Sequence, residues 1–259
     1  MPEATLPHPQ GAPCWIDIAV DPQSAALEFY RPLLGWSGEP GPAEFGGYAV
    51  MEVGGRPVAG VMQTMPDQPA ATPVWTVYFA VEDAAASAAR VGELGGNVFM
   101  GPQEVPGTGV MALALDPEGA VFGLWQPKPF TGIGLVGEVG APCWFELESA
   151  SGADAAAFYA GVFGTESAEA EAMPGAYWLL KAAGREVAGI WNASGDRAAY
   201  APRWQTYLQV ADVDATIEQA GAAGAKVLRA ATDSPFGRFA ILADPFGAQF
   251  AVLCAPAAS

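Results

Sequence analysis

Apolar and polar positions alternate from Trp15 to Val20, with Ile16 and Ile18 on one face and Trp15 and Asp17 on the other. That period of two belongs to a half-buried strand. The period then lengthens. Asp21-Pro22 opens a helix whose inward stripe is Ala25, Ala26, Phe29 and Leu33, and Gly35 ends it. Trp36–Glu39, Tyr48–Val53 and Pro57–Gln63 read as three strands between Gly/Pro turns such as Gly54-Gly55. The unit so far is β-α-β-β-β. Met65 to Pro73, rich in Pro, Asp and Gln, reads as a linker. A second unit follows: strand Val74–Val81, helix Asp83–Leu94 with the stop Gly95-Gly96-Asn97, and strands Val98–Met100, Val110–Leu115 and Val121–Gln126. The last strand is entered through the turn Asp-Pro-Glu-Gly.

The whole pattern then recurs. Ala-Pro-Cys-Trp stands at Ala12–Trp15 and again at Ala141–Trp144, an offset of 129. Phe29-Tyr30 matches Phe158-Tyr159, Gly35 matches Gly164, and Trp75 and Tyr78 match Trp204 and Tyr207. Asp116-Pro117-Glu118-Gly119 answers Asp244-Pro245-Phe246-Gly247 with one residue lost. Anchors in the same order across an entire half mark a duplicated domain. The second copy predicts strand Trp144–Glu148, helix Ala153–Phe163, and strands near Tyr177–Lys181 and Glu186–Trp191. It continues with strand Trp204–Val210, helix Val213–Gly221, and strands near Val227–Arg229, Arg238–Leu242 and Gln249–Leu253. The expected division is an arm over 1–11, a first domain over 12–127, a linker over 128–140 and a second domain over 141–256.

Composition narrows the possibilities. With 51% hydrophobic and 15% charged residues in 259, the chain can build real cores. A net charge of −17, from 28 acidic and 11 basic residues, speaks against nucleic acid or an anionic membrane as partner. No run reaches the ~18–20 apolar residues of a membrane span. Residues 1–10 lack the basic start and apolar core of a secretory signal, so a cytoplasmic location is expected. Cys14, Cys143 and Cys254 read as buried thiols rather than a disulfide framework. The only histidine, His8, lies in the Pro-rich leader. A hydrolase triad in its usual form is therefore excluded.

Four β-α-β-β-β modules, a helix ending Phe-Tyr…Gly in each half and a final Asp-Pro-x-Gly hairpin resemble the vicinal oxygen chelate superfamily. That superfamily includes glyoxalases, extradiol dioxygenases and bleomycin-binding proteins. Within it the chain is most similar to the two-domain glyoxalase-like proteins of actinobacteria. The resemblance implies an α+β fold in which four βαβββ modules form two U-shaped, incompletely closed barrels, with helices outside and a ligand cleft inside. Strand parity then assigns Ile16, Ile18, Phe79 and Val81 to the helix side. It assigns Trp15, Asp17, Thr76, Tyr78, Val121, Gly123 and Trp125 to the first cleft. The second cleft receives Trp144, Glu146, Glu148, Gln205, Tyr207, Gln249, Ala251 and Leu253.

Enzymes of this superfamily hold a divalent cation with His or Gln, His and Glu on three strands. Carried onto this chain, those positions fall on Trp15, Thr76 and Gly123, and on Trp144, Gln205 and Ala251. Trp, Gly and Ala offer no ligating side-chain atom, so the expectation is no metal and no other cofactor. Glu146, Glu148 and Gln205 could at most form a weak hard-cation site.

Asp17 and Glu146 occupy matched positions, each two residues after a Trp in an apolar setting. Desolvation there raises a carboxyl pKa towards values useful for proton transfer. The competing structural role is a carboxylate that accepts hydrogen bonds from a neighbouring strand. Trp15, Tyr78, Trp125, Trp144 and Tyr207 share cleft parity, and an aromatic-lined concave site suits flat ligands. Trp75 and Trp204 have helix-side parity. The leading expectation is a metal-independent small-molecule binder for an aromatic or polyketide-like compound, serving sequestration, resistance or secondary metabolism. The alternatives are a metal-free cyclase, isomerase or lyase using Asp17 or Glu146 as acid or base, and a protein-interaction module with vestigial clefts. A small-molecule ligand is the expected partner, and a monomer the expected state, with a dimer as the alternative.

Overall fold

The computed structural model describes residues 7–42, 46–64, 72–193 and 202–255. Two mixed sheets carry the four predicted modules. The first is built from β1 (Pro13–Val20), β2 (Ala49–Val53), β3 (Arg56–Gln63), β4 (Thr76–Ala80), β5 (Asn97–Val105), β6 (Gly109–Leu115) and β7 (Val121–Pro127). Their lateral order is β2-β3-β1-β4-β7-β6-β5. The second uses β8 (Pro142–Ser149), β9 (Glu166–Glu169), β10 (Tyr177–Ala182), β11 (Arg185–Asn192), β12 (Arg203–Gln209), β13 (Lys226–Ser234), β14 (Gly237–Ala243) and β15 (Gln249–Cys254). It runs β13-β14-β15-β12-β8-β11-β10-β9. In each sheet the two module-opening strands lie antiparallel at the centre, β1 against β4 and β8 against β12.

The predicted strand Trp36–Glu39 is only two isolated bridges, Ser37 to Glu52 and Pro40 to Ala49, whereas its second-half counterpart β9 forms a full ladder with β10. Pro40 and Pro42 explain the difference, because proline cannot donate to a ladder. The linker proposed at Met65 to Pro73 falls mostly on residues outside the described set. The helices are α1 (Gln23–Leu34), α2 (Ala84–Glu93), α3 (Gly152–Phe163) and α4 (Val213–Ala222). Asp83 and Asp212 cap α2 and α4 by accepting from backbone N–H groups two or three residues on. Gly35 and Gly164 close α1 and α3 at φ 67° and 64°, a left-handed conformation that glycine adopts without penalty.

One hydrophobic core runs through both halves. The helices cover each sheet as expected, but the two helical layers also meet, α1 against α4 and α2 against α3. Phe79 on β4 packs edge-on to Trp204 on β12 at 5.0 Å, and Phe29 on α1 meets Phe250 on β15 at 6.2 Å. The repeated Phe-Tyr and Asp-Pro-x-Gly motifs bond to each other across the halves. The Tyr30 hydroxyl donates to Asp244 Oδ2 at 2.8 Å, and Tyr159 to Asp116 Oδ2 at 3.0 Å. Each tyrosine oxygen in turn accepts from a buried indole, Trp75 at 3.0 Å and Trp204 at 2.9 Å. The other oxygen of each aspartate holds its own turn, accepting from Glu118 and Ala120 N–H, or from Phe246 and Ala248 N–H. Burial pushes both aspartate carboxyls up from the ordinary range.

The arm is not loose over its described part. His8 Nε2 lies 2.9 Å from the Ile133 carbonyl, Gln10 donates to the Phe163 carbonyl at 3.2 Å, and Gly11 N–H to Ala80 at 2.8 Å. Cys14 and Cys143 are buried and free, while Cys254 is half-buried. Among the described residues no helix is long and apolar enough to cross a membrane.

Candidate functional site

Strand register places the cleft residues in lateral rows. Trp15 on β1 lies beside Tyr78 on β4, which lies beside Gly123 on β7. In the second sheet Trp144, Tyr207 and Ala251 line up in the same way across β8, β12 and β15. The next row pairs Asp17 with Gly60 and Thr76, and Glu146 with Gly189 and Gln205. The residue level with Trp15 and Gly123 is therefore Tyr78, not Thr76, and in the other half Tyr207, not Gln205. Thr76 and Gln205, which the resemblance gave as the second ligand position, lie level with Asp17 and Glu146.

One four-member network links these rows in each sheet. The Trp15 indole donates to the Tyr48 hydroxyl at 2.7 Å, and Tyr48 donates to Asp17 Oδ2 at 3.0 Å. Tyr78 also bonds to the Asp17 carboxylate. The second half repeats the arrangement: Trp144 to Tyr177 at 3.0 Å, Tyr177 to Glu146 Oε2 at 2.9 Å, and Tyr207 to Glu146 Oε1 at 3.0 Å. Each carboxylate is thus clasped by two phenols. Desolvation raises the Asp17 carboxyl to about 7 even though the Tyr48 and Tyr78 hydrogen bonds pull it down. The two carboxylates lie in separate sheets.

Glycine makes room for these rings. A Cβ at Gly60 or Gly189 would overlap the hydroxyl of Tyr48 or Tyr177, and one at Gly123 would overlap the ring of Tyr78. The superfamily's metal requires lone pairs from three convergent side chains. Here a phenol row and a glycine or alanine stand in that place, and no trio of His, Cys, Asp or Glu converges among the described residues. This donor set does not fit a divalent cation.

Tyr48 and Tyr177 are matched aromatics that precede β2 and open β10, and the place of each hydroxyl depends on a glycine, Gly60 or Gly189. The linker supplies a second residue that the repeat conceals. Phe130 packs edge-on to Trp15 at 4.9 Å and to Trp125 at 6.0 Å, and the Trp125 indole donates to the Phe130 carbonyl at 3.0 Å. Trp15 and Trp125 keep only 4% and 7% of their surface. The linker thus covers both indoles of the first half, while Asp17 and Thr76 stay half-buried. In the second, Glu148 is buried against Arg203, Nε to Oε2 at 3.4 Å, while Gln205 and Ala251 are buried and Trp144 and Gln249 are half-buried.

A family model described as a glyoxalase-like domain matches residues 15–125 and again 144–253. The "Putative glyoxylase CFP32" of Mycobacterium tuberculosis (strain CDC 1551 / Oshkosh) is 38% identical over 249 residues, covering 94% of this chain and 95% of its own. The anthracycline biosynthesis protein DauV of Streptomyces sp. (strain C5) is 34% identical over 261 residues, covering 94% and 93%. Among solved structures, the Mn(II)-bound glyoxalase from Novosphingobium aromaticivorans superposes with a TM-score of 0.62 at 15% identity, covering 94% of this chain and 82% of its own. The 2,2',3-trihydroxybiphenyl 1,2-dioxygenase from Sphingomonas wittichii strain RW1 gives 0.63 at 16%, covering 95% and 90%. These structural likenesses carry the fold: tandem vicinal oxygen chelate domains.

Proposed function

Since this chain belongs to the glyoxalase-like domain family, we propose that it is a metal-independent binder of a small aromatic or polyketide-like molecule, acting as a cytoplasmic monomer in secondary metabolism or sequestration. The observation that supports the reading is the Trp–Tyr–carboxylate–Tyr network on strands to which the resemblance assigns metal ligands. A scaffold that has exchanged its metal donors for phenols and indoles keeps a concave aromatic wall but loses the Lewis acid. The relatives named for anthracycline biosynthesis support the choice of an aromatic ligand.

A second reading rests on Asp17. A carboxyl held near 7 between two tyrosines is poised to take up and return a proton at neutral pH. In a metal-free isomerase or cyclase it would act as the base, and Tyr78 would hold the developing negative charge. Titration of the protein with anthraquinones, followed by tryptophan quenching with and without EDTA, separates the readings. Saturable binding that EDTA leaves unchanged, with the compound recovered intact, supports the binder. Conversion of the bound compound that Asp17→Asn abolishes supports the enzyme. Binding restored only by Mn(II), Ni(II) or Zn(II) refutes both.

A further inference from the structure

The halves diverge most where their clefts should match. Trp125 is answered by Leu253, Met100 by Arg229, Val74 by Arg203, Ala19 by Glu148 and Thr76 by Gln205. The first cleft's Trp15, Tyr78 and Trp125 belong to the main core. The second cleft's lining, Tyr207, Ile241, Ala251 and Leu253 with Phe239 packed against it, forms a cluster of its own. A bulky indole has been replaced there by leucine, and a thioether by a guanidinium.

Arg229 ends the lateral row that begins at Trp144. Register runs Trp144, Tyr207, Ala251, Ile241, Arg229 across five strands, so the cation shares the cleft-facing parity of the network. Its Cζ lies 4.7 Å above the Phe239 ring, and that ring is 6.0 Å from Tyr207. Its Nη1 is withdrawn from solvent and has no hydrogen-bond partner. The cleft carboxylates are engaged elsewhere, Glu146 by two tyrosines and Glu148 by Arg203. A guanidinium donor removed from water without an acceptor is costly, and an anion delivered by a ligand would relieve it.

Building on the binding reading above, we infer that the second cleft is the ligand site and takes a planar aromatic acid. The ring would lie along Tyr207, Phe239 and Leu253, with the carboxylate or ionised phenol on Arg229. The first half carries Met100 at this place and offers no matching cation.

The test compares anthraquinone-2-carboxylate with its neutral carboxamide, by calorimetric titration of the intact chain and of Arg229→Met and Arg229→Lys. Met is the residue the first half carries at this place, so the fold tolerates it there. The wild type should prefer the acid by about tenfold or more, the usual worth of a hydrogen bond to a charged group. Arg229→Met should abolish that preference while changing the amide's Kd less than about threefold, and Arg229→Lys should keep part of it. Equal affinity for acid and amide in the wild type, or an acid preference that survives Arg229→Met, overturns the inference and leaves the binding reading standing. Failure of both compounds to bind the wild type overturns both.

Discussion

Replacing Tyr159 by Phe removes one buried oxygen that serves two partners across the halves. In the native chain that oxygen accepts from the Trp204 indole at 2.9 Å and donates to Asp116 Oδ2 at 3.0 Å, and Tyr159 itself is fully buried. The ring still fills its space, so the change is almost purely polar. It strands an indole N–H and one carboxylate oxygen away from water. Each such loss costs about 1–3 kcal/mol, the charged partner towards the upper end, so a destabilisation of roughly 3–5 kcal/mol is expected. At ~2–4 °C per kcal/mol for a chain of this size, Tm should fall by about 6–20 °C in differential scanning calorimetry at pH 8. The loss should shrink in acid, because a protonated Asp116 no longer requires a donor. Tyr30→Phe should behave alike, since Trp75 and Asp244 surround it in the same way. A loss below about 0.5 kcal/mol in both variants would mean that the cross-half network contributes nothing beyond packing.

Other consequences follow from the clefts. The Asp17 carboxyl has a folded-state pKa of about 7, above its ordinary value of 3.8. Its stabilising contribution is therefore complete below about pH 4 and is lost as pH rises through 7. The stability of wild type relative to Asp17→Asn should fall over that interval, by at most about 4 kcal/mol from some three pH units at ~1.4 each. A difference that stays flat or grows with pH in urea titrations would sink this assignment. Gly60→Ala should cost about 1–3 kcal/mol by driving Tyr48 off Asp17, whereas Gly92→Ala on α2, where a Cβ meets nothing, should be neutral or stabilising. Equal melting temperatures for the two variants would show that the Tyr48 contact is not tight.

Periodicity and duplication made the architecture legible because each module must bury one strand face and one helix stripe, and each does so twice. Ile16, Ile18, Trp75 and Trp204 lie in the core as their parity required. Trp15 and Tyr78 stand side by side in the first sheet, and Trp144 and Tyr207 in the second. What the chain order concealed was lateral position: the ladder sets Tyr78, not Thr76, beside Trp15. Phe130 escaped notice because it belongs to the linker and has no repeat partner. Arg229 lies on an edge strand, and only register shows that it ends the row that begins at Trp144. Covalent sequence specifies faces well, but cross-strand neighbours depend on register, which single bulges alter.

The central claim is that a phenol–indole network has displaced the fold's metal and left a cleft for an organic ligand. Native mass spectrometry of gently purified protein tests it most directly. The account predicts a mass excess of several hundred daltons that leaves on denaturation as an organic compound, with no stoichiometric divalent ion. One tightly held Mn, Fe, Ni or Zn per chain, surviving exhaustive dialysis and lost on Trp144 or Glu146 substitution, would contradict it.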